Sequence, residues 1–185
     1  MVLITQSGPQ TLPLGSSAPD FSLPGTDGKT YSLSSFKDAK LLVISFTCNH
    51  CPYAKGVEDR FIRIANDYHT KGVSFAAISA NDAVNYPDDS FANMKIRATE
   101  KGFPFPYLYD ESQATAKAYG AVCTPHIFVF DAKRHLVYEG RIDDNWQNES
   151  AVKSHDLKDA LDAALTGKRI TTPQTNPMGC SIKWK

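Results

Sequence analysis

The pentapeptide Cys48-Asn49-His50-Cys51-Pro52 holds the residues best suited to chemistry. Two thiols spaced C-x-x-C form the simplest dithiol redox unit. A thiolate is the nucleophile, and a second thiol two residues away can close a disulfide within the same turn. Such a pair needs something to acidify one sulfur. A helix N-terminus does this, because its free N–H groups and partial positive charge favour thiolate over thiol. His50, between the cysteines, adds positive charge when protonated and would lower the thiol pKa further. The spacing does not say which sulfur attacks: Cys48 comes first, but Cys51 stands directly before Pro52.

The flanking elements fit that requirement. Residues 41–46, Leu-Leu-Val-Ile-Ser-Phe, form an apolar run that predicts a buried strand. Residues 54–68 carry Val57, Phe61, Ile64, Ala65 and Tyr68 on one stripe, with Glu58, Asp59, Arg63 and Asn66 away from it. This pattern predicts an amphipathic helix. Pro52 suits its first turn, where a missing N–H costs little. The dithiol therefore sits at a strand-to-helix turn.

Beyond it, residues 73–80 predict a central strand and residues 81–89 a polar loop. Ser90 is placed to cap a helix running to about Lys101. Residues 107–109 predict a short strand, 112–119 a short helix ended by Gly120, 127–130 and 135–141 two strands, and 152–165 a last helix. Upstream, residues 20–23 and 29–33 alternate around Asp27-Gly28 and predict a β-hairpin. Residues 1–17 read as an extended arm, 18–167 as one domain, and 168–185 as an irregular tail carrying Cys180. The aromatics Phe103, Phe105, Tyr107 and Tyr109 read as core packing. The fold class is α/β, a mixed central sheet with helices on both faces.

Charge excludes some partners. Twenty basic and twenty acidic residues give a formal net charge of zero, so neither nucleic acid nor an anionic membrane is expected. No apolar run reaches membrane-spanning length, and no basic-then-apolar leader opens the chain. A cytoplasmic location is the expectation. Four cysteines in 185 residues are too few for a disulfide scaffold, which favours catalytic or metal-binding roles.

The order of elements, with a dithiol after the first central strand, resembles the thioredoxin-like superfamily. Three stretches carry the resemblance. Ala18-Pro19-Asp20-Phe21-Ser22-Leu23-Pro24 with Asp27-Gly28-Lys29 is similar to the N-terminal hairpin of the TlpA/ResA and peroxiredoxin (redoxin) branch. Cys48-Asn49-His50-Cys51 matches the C-x-x-C. Thr124-Pro125-His126-Ile127-Phe128-Val129-Phe130-Asp131 is similar to the cis-proline loop and its following strand. The resemblance implies a thiol–disulfide oxidoreductase with Cys48 and Cys51 as catalytic thiols. It also implies that Thr124-Pro125 forms a cis peptide beside them, with extended backbone that a disulfide substrate can pair with. Thr47, His50 and Pro52 support the turn. The peroxiredoxin pattern P-x-x-x-T-x-x-C, counted from Thr47, would put its cysteine at His50 and its proline at Val43, and neither matches. The expected partners are a protein or small-molecule disulfide and an external thiol reductant, with no cofactor.

Two cysteines remain. Cys123, two residues before Pro125, reads either as a third redox thiol or metal ligand, or as a small buried apolar residue. Cys180 lies in Gly179-Cys180-Ser181-Ile182-Lys183-Trp184, a tail apolar enough to dock through Ile182 and Trp184 and deliver a resolving thiol. Similar thioredoxin-like proteins end in such a tail. A peroxidase variant of the same chemistry would begin with a sulfenic acid. A second class is a Sco-like copper protein, with Cys48, Cys51, Cys123 and His126 or His50 as a soft ligand set.

Overall fold

The structure, a computed structural model, describes residues 2–4 and 12–185. Of the expected N-terminal arm, residues 1 and 5–11 lie outside the described residues. Residues 2–4 form strand β1 (Val2–Ile4). Then follow the hairpin strands β2 (Leu23–Pro24) and β3 (Thr30–Tyr31), and β4 (Leu41–Phe46), α1 (Pro52–His69), β5 (Val73–Ser79), α2 (Phe91–Lys101) and β6 (Tyr107–Tyr109). The second half holds α3 (Ala114–Tyr119), β7 (Cys123–Thr124), β8 (His126–Phe130), β9 (Leu136–Gly140), α4 (Asp156–Leu165) and β10 (Met178–Ser181).

The central sheet has the order β6-β5-β4-β8-β9. β4 runs parallel to β5 and antiparallel to β8, with Val43 opposite both Phe75 and Val129. It is central and covered on both faces, which is why all six of its residues are buried. Leu41 and Val43 pack toward α1, α4 and Met94 of α2. Leu42, Ile44 and Phe46 pack toward α3, the N-terminal hairpin and Ile182. Each such apolar side chain contributes about 1.5–3 kcal/mol on burial. The expected mixed sheet with helices on both faces is therefore observed, and Phe103, Phe105, Tyr107 and Tyr109 all belong to the first of these cores.

Several boundaries differ for local reasons. The hairpin turns around Gly28 at φ +84°, closed by Gly25 N–H to Lys29 O at 2.7 Å, so its strands are shorter than the alternation suggested. α2 starts where expected, with Ser90 Oγ accepting from Asn93 N–H. α4 starts at Asp156 rather than 152. The Asp144 carboxylate accepts the N–H groups of Lys153 (2.9 Å) and Ser154 (3.2 Å), which holds that segment out of the helix.

The largest difference is the C-terminal segment. It is not irregular: β10 pairs antiparallel with β7 on one side and β1 on the other. Gly-Cys-Ser has weak strand propensity, so the pairing is set by distant partners. Gly179 is required there, because a Cβ would lie 2.1 Å from the Thr124 carbonyl oxygen. Ile182 is buried as expected, and its N–H donates to Val122 O. Trp184 does not dock; it is 43% exposed, with the Lys117 ammonium over its ring.

Candidate redox site

β4 ends at Phe46, and the chain crosses the rim of the sheet to α1. Cys51 is the N-cap residue of α1 and Pro52 its first residue. Cys48 lies one turn earlier, in the connecting loop. Both are buried, at 3% and 0% exposure. The Thr124–Pro125 peptide is cis. It sets Thr124 against both thiols: Cys48 Sγ lies 3.3 Å from Thr124 Oγ1, and Cys51 S–H donates to the Thr124 carbonyl at 3.0 Å. Thr47 lines a small cavity with Pro125, Ala54 and Ile142.

The two thiols are electrostatically unequal. Cys51 is acidified, first by the Cys48 thiol donating to it, then by the Ala54 N–H in the first helical turn and by the thiol and N–H of Cys180. Burial and the Thr124 carbonyl work against this, and Ala54 makes no full capping hydrogen bond. Cys48 is pushed well above the ordinary thiol range, first by its bond to Cys51, then by burial, then by the nearby Asp89 carboxylate. These electrostatics favour Cys51 over Cys48 as the thiolate, with Cys48 as its proton-bearing partner.

The loop between the cysteines is strapped to a residue of the polar 81–89 segment. Asp89, in a single 3₁₀ turn at Pro87–Asp89, is completely buried. Its carboxylate accepts from Asn49 N–H (2.7 Å), His50 N–H (3.2 Å), Asn81 Nδ2 (2.8 Å) and His50 Nδ1 (2.5 Å). A carboxylate only accepts, so Nδ1 carries the proton in this contact. The side chain of Asn49 is held too, donating to Asp88 O and accepting from Tyr107 Oη–H. His50 stacks on Tyr86 with ring centroids 5.4 Å apart. Its ring N–H is therefore spent on Asp89, and Asp89 itself raises Cys48. This replaces the simple expectation that His50 acidifies a thiol. Asp89, Asn81, Tyr107 and Tyr86 were missed. One signal existed: loops leaving the C-terminal ends of adjacent parallel strands share a rim, so the 81–89 loop had to lie beside the dithiol.

The other sites resolve differently. His126 is fully buried, with Nε2 2.9 Å from Glu139 Oε1 and Nδ1 accepting from Val122 N–H. It is a satisfied core pair, not a partner of the thiols. Cys123 is fully buried, and burial pushes its thiol up to about 12. Cys180 packs on the Cys48–Cys51–Ala54 cluster, beside Tyr53. Of the soft-metal set, Cys51 and His50 both approach Cys48. The ligand atoms of Cys48, His50 and Asp89 lie within 4.8 Å of one another, but the His50 ring and the Asp89 carboxylate already satisfy each other. Among the described residues no helix is long and apolar enough to cross a membrane.

The chain has relatives of known structure or sequence. The chain is 49% identical to an uncharacterized conserved protein from Geobacillus kaustophilus, with 94% of this chain and 93% of that one covered and a TM-score of 0.89. A hypothetical protein from Sinorhizobium meliloti 1021 is 40% identical over 95% and 96% of the two chains, with a TM-score of 0.90. The thioredoxin domain of a thiol-disulfide oxidoreductase from Bacteroides vulgatus shares the fold at 20% identity, covering 70% and 89% of the two chains with a TM-score of 0.58. Chloroplastic peroxiredoxin Q of Triticum aestivum is 29% identical over 106 residues, 57% of this chain, and the match spans 45% of that relative's length. The Redoxin family model matches residues 13–161, the span that carries the central sheet, the dithiol and the cis-proline loop. With most of its length accounted for in this way, the chain belongs to the Redoxin family and has a thioredoxin-like fold.

Proposed function

We propose that this protein is a thiol–disulfide oxidoreductase in which Cys51 attacks and Cys48 resolves. The observation that carries this is the placement of Cys51 at the N-cap of α1, with the Cys48 thiol donating to it. The Cys51 thiolate attacks a disulfide sulfur, forming a mixed disulfide and releasing the substrate's first thiolate. Cys48 then gives up its proton and attacks Cys51, releasing the second substrate thiolate and leaving Cys48–Cys51 oxidised. The Thr124 hydroxyl, 3.3 Å from Cys48 Sγ, is placed to steady that thiolate as it forms. An external thiol reductant returns the pair to its starting state.

A peroxidase reading draws support from the peroxiredoxin Q match. There Cys51 would take oxygen from a hydroperoxide and Cys48 would expel it as water, using the same two sulfurs. Assays of disulfide and hydroperoxide turnover on wild type, Cys51→Ser and Cys48→Ser test both readings. Cys51→Ser should abolish turnover. Cys48→Ser should trap a mixed disulfide on Cys51 with a disulfide substrate, or a sulfenic acid with a hydroperoxide. Full disulfide turnover by Cys51→Ser would refute the assignment.

A further inference from the structure

An outside thiol reaches a sulfur that is open to solvent sooner than one that is buried. Cys48 and Cys51 are 3% and 0% exposed, and Cys123 is fully buried; Cys180 is the one thiol of the four that is partly open to solvent. Its position is built by backbone pairing. Cys180 stands opposite Thr124 in the β10–β7 ladder, and Thr124 is the residue that touches both dithiol sulfurs. The Cys180 side chain packs on the Cys48–Cys51–Ala54 cluster. The same ladder fills the β7 edge, and β1 covers the far side of β10. An extended disulfide partner therefore finds that edge occupied by a strand of the chain itself, one that already presents a cysteine to the nucleophile.

We propose that Cys180 is the port thiol, through which electrons from a low-molecular-weight thiol reach the buried Cys48–Cys51 pair. This rests on the dithiol reading above and names the reductant class for the same site. Starting from oxidised protein, Cys180 loses its proton to water and attacks Cys51. A Cys51–Cys180 bond forms, the Cys48–Cys51 bond breaks, and Cys48 leaves and takes up a proton. A small thiol then attacks the outward sulfur, Cys180. It forms a mixed disulfide there and expels Cys51 as thiolate, the more acidic and hence better leaving group. A second small thiol attacks the first at its own sulfur and releases Cys180. Two small thiols are oxidised to one disulfide, and one protein disulfide is reduced.

The test compares wild type with Cys180→Ser. Both are oxidised, mapped for disulfides by mass spectrometry, and reduced under native conditions with glutathione. Cys48–Cys51 should form in both proteins, and its reduction should be at least tenfold slower in Cys180→Ser. A disulfide that forms but is reduced at the wild-type rate overturns the port assignment alone. If Cys48–Cys51 fails to form in Cys180→Ser that retains wild-type circular dichroism, both readings fall. A measurement on unmutated protein guards against a loosened tail. One equivalent of iodoacetamide on reduced wild type should label Cys180 at least tenfold ahead of the other three cysteines. Equal or earlier labelling of Cys48 or Cys51 also overturns the port.

Discussion

Removing the Asp89 carboxylate should both weaken the fold and retune the dithiol. Asp89 is completely buried and accepts four hydrogen bonds, two of them from the backbone of the C-x-x-C loop. In Asp89→Ala, Asn49 N–H and Asn81 Nδ2 are left without an acceptor in a dry site. Each buried orphan costs about 1–3 kcal/mol. The His50 ring is 23% exposed and can turn to water, and the His50 N–H is held at 3.2 Å on a part-buried residue, so the share of these two is smaller. The sum is a loss of about 3–5 kcal/mol, or roughly 6–20 °C in Tm for a chain of this size. Asp89→Asn keeps one acceptor oxygen and the packing, and should lose about half as much. Urea unfolding of the reduced proteins reads both values. Thiolate absorbance near 240 nm reads the second effect. The Asp89 charge is one contributor to the raised Cys48 pKa, after the Cys51 bond and burial, so neutralising it should move the Cys48 titration to lower pH. If Asp89→Ala unfolds within 0.5 kcal/mol of wild type, the carboxylate does not hold this loop.

Two other perturbations probe different parts of the molecule. Gly179→Val puts a branched side chain where even a Cβ would be 2.1 Å from the Thr124 carbonyl, so β10 should detach. Limited proteolysis should then cut near residues 176–185 while far-UV circular dichroism stays close to wild type; a tail as resistant as wild type refutes the close-packing argument. Burial holds the Cys123 thiol at about 12, so the unfolded chain releases that proton first as pH rises. The stability due to neutral Cys123 is full below its unfolded pKa, near 8.5–9, and is lost as pH rises toward 12. Replacing it in Cys123→Ala should flatten the alkaline fall in unfolding free energy by one proton, about 1.4 kcal/mol per pH unit between pH 9 and 12. Parallel curves for the two proteins would refute a buried neutral thiol.

Much of this site was legible in the chain because its signals are local. Residues 41–46 and the stripe from Val57 to Tyr68 fix a strand-to-helix turn wherever they fold, and Pro52 marks the helix start. Ser90 likewise announces α2 through its own hydroxyl. What was not legible depends on partners far along the chain. Asp89 sits in Pro87-Asp88-Asp89, a sequence that reads as solvated, and only the loop it faces makes burial favourable. Gly179-Cys180-Ser181 has no strand signature, and becomes a strand because β7 and β1 supply partners on both sides. Of the two apolar tail residues expected to dock, Ile182 fills the available space and Trp184 stays 43% exposed, because size alone does not say which side chain meets the core.

The way β10 completes the site bears on how the molecule is made. Thr124 leaves the ribosome about 55 residues before Cys180. At translation rates of about 5–20 residues per second, β7 precedes its cover by roughly 3–11 s. During that interval β7 has an open edge and Cys51 has no neighbour across it. Nascent chains are thus more vulnerable to oxidants and to strand pairing with one another than the finished protein is. Arrival of β10 closes that edge and seats the Cys180 side chain on the dithiol cluster in one event.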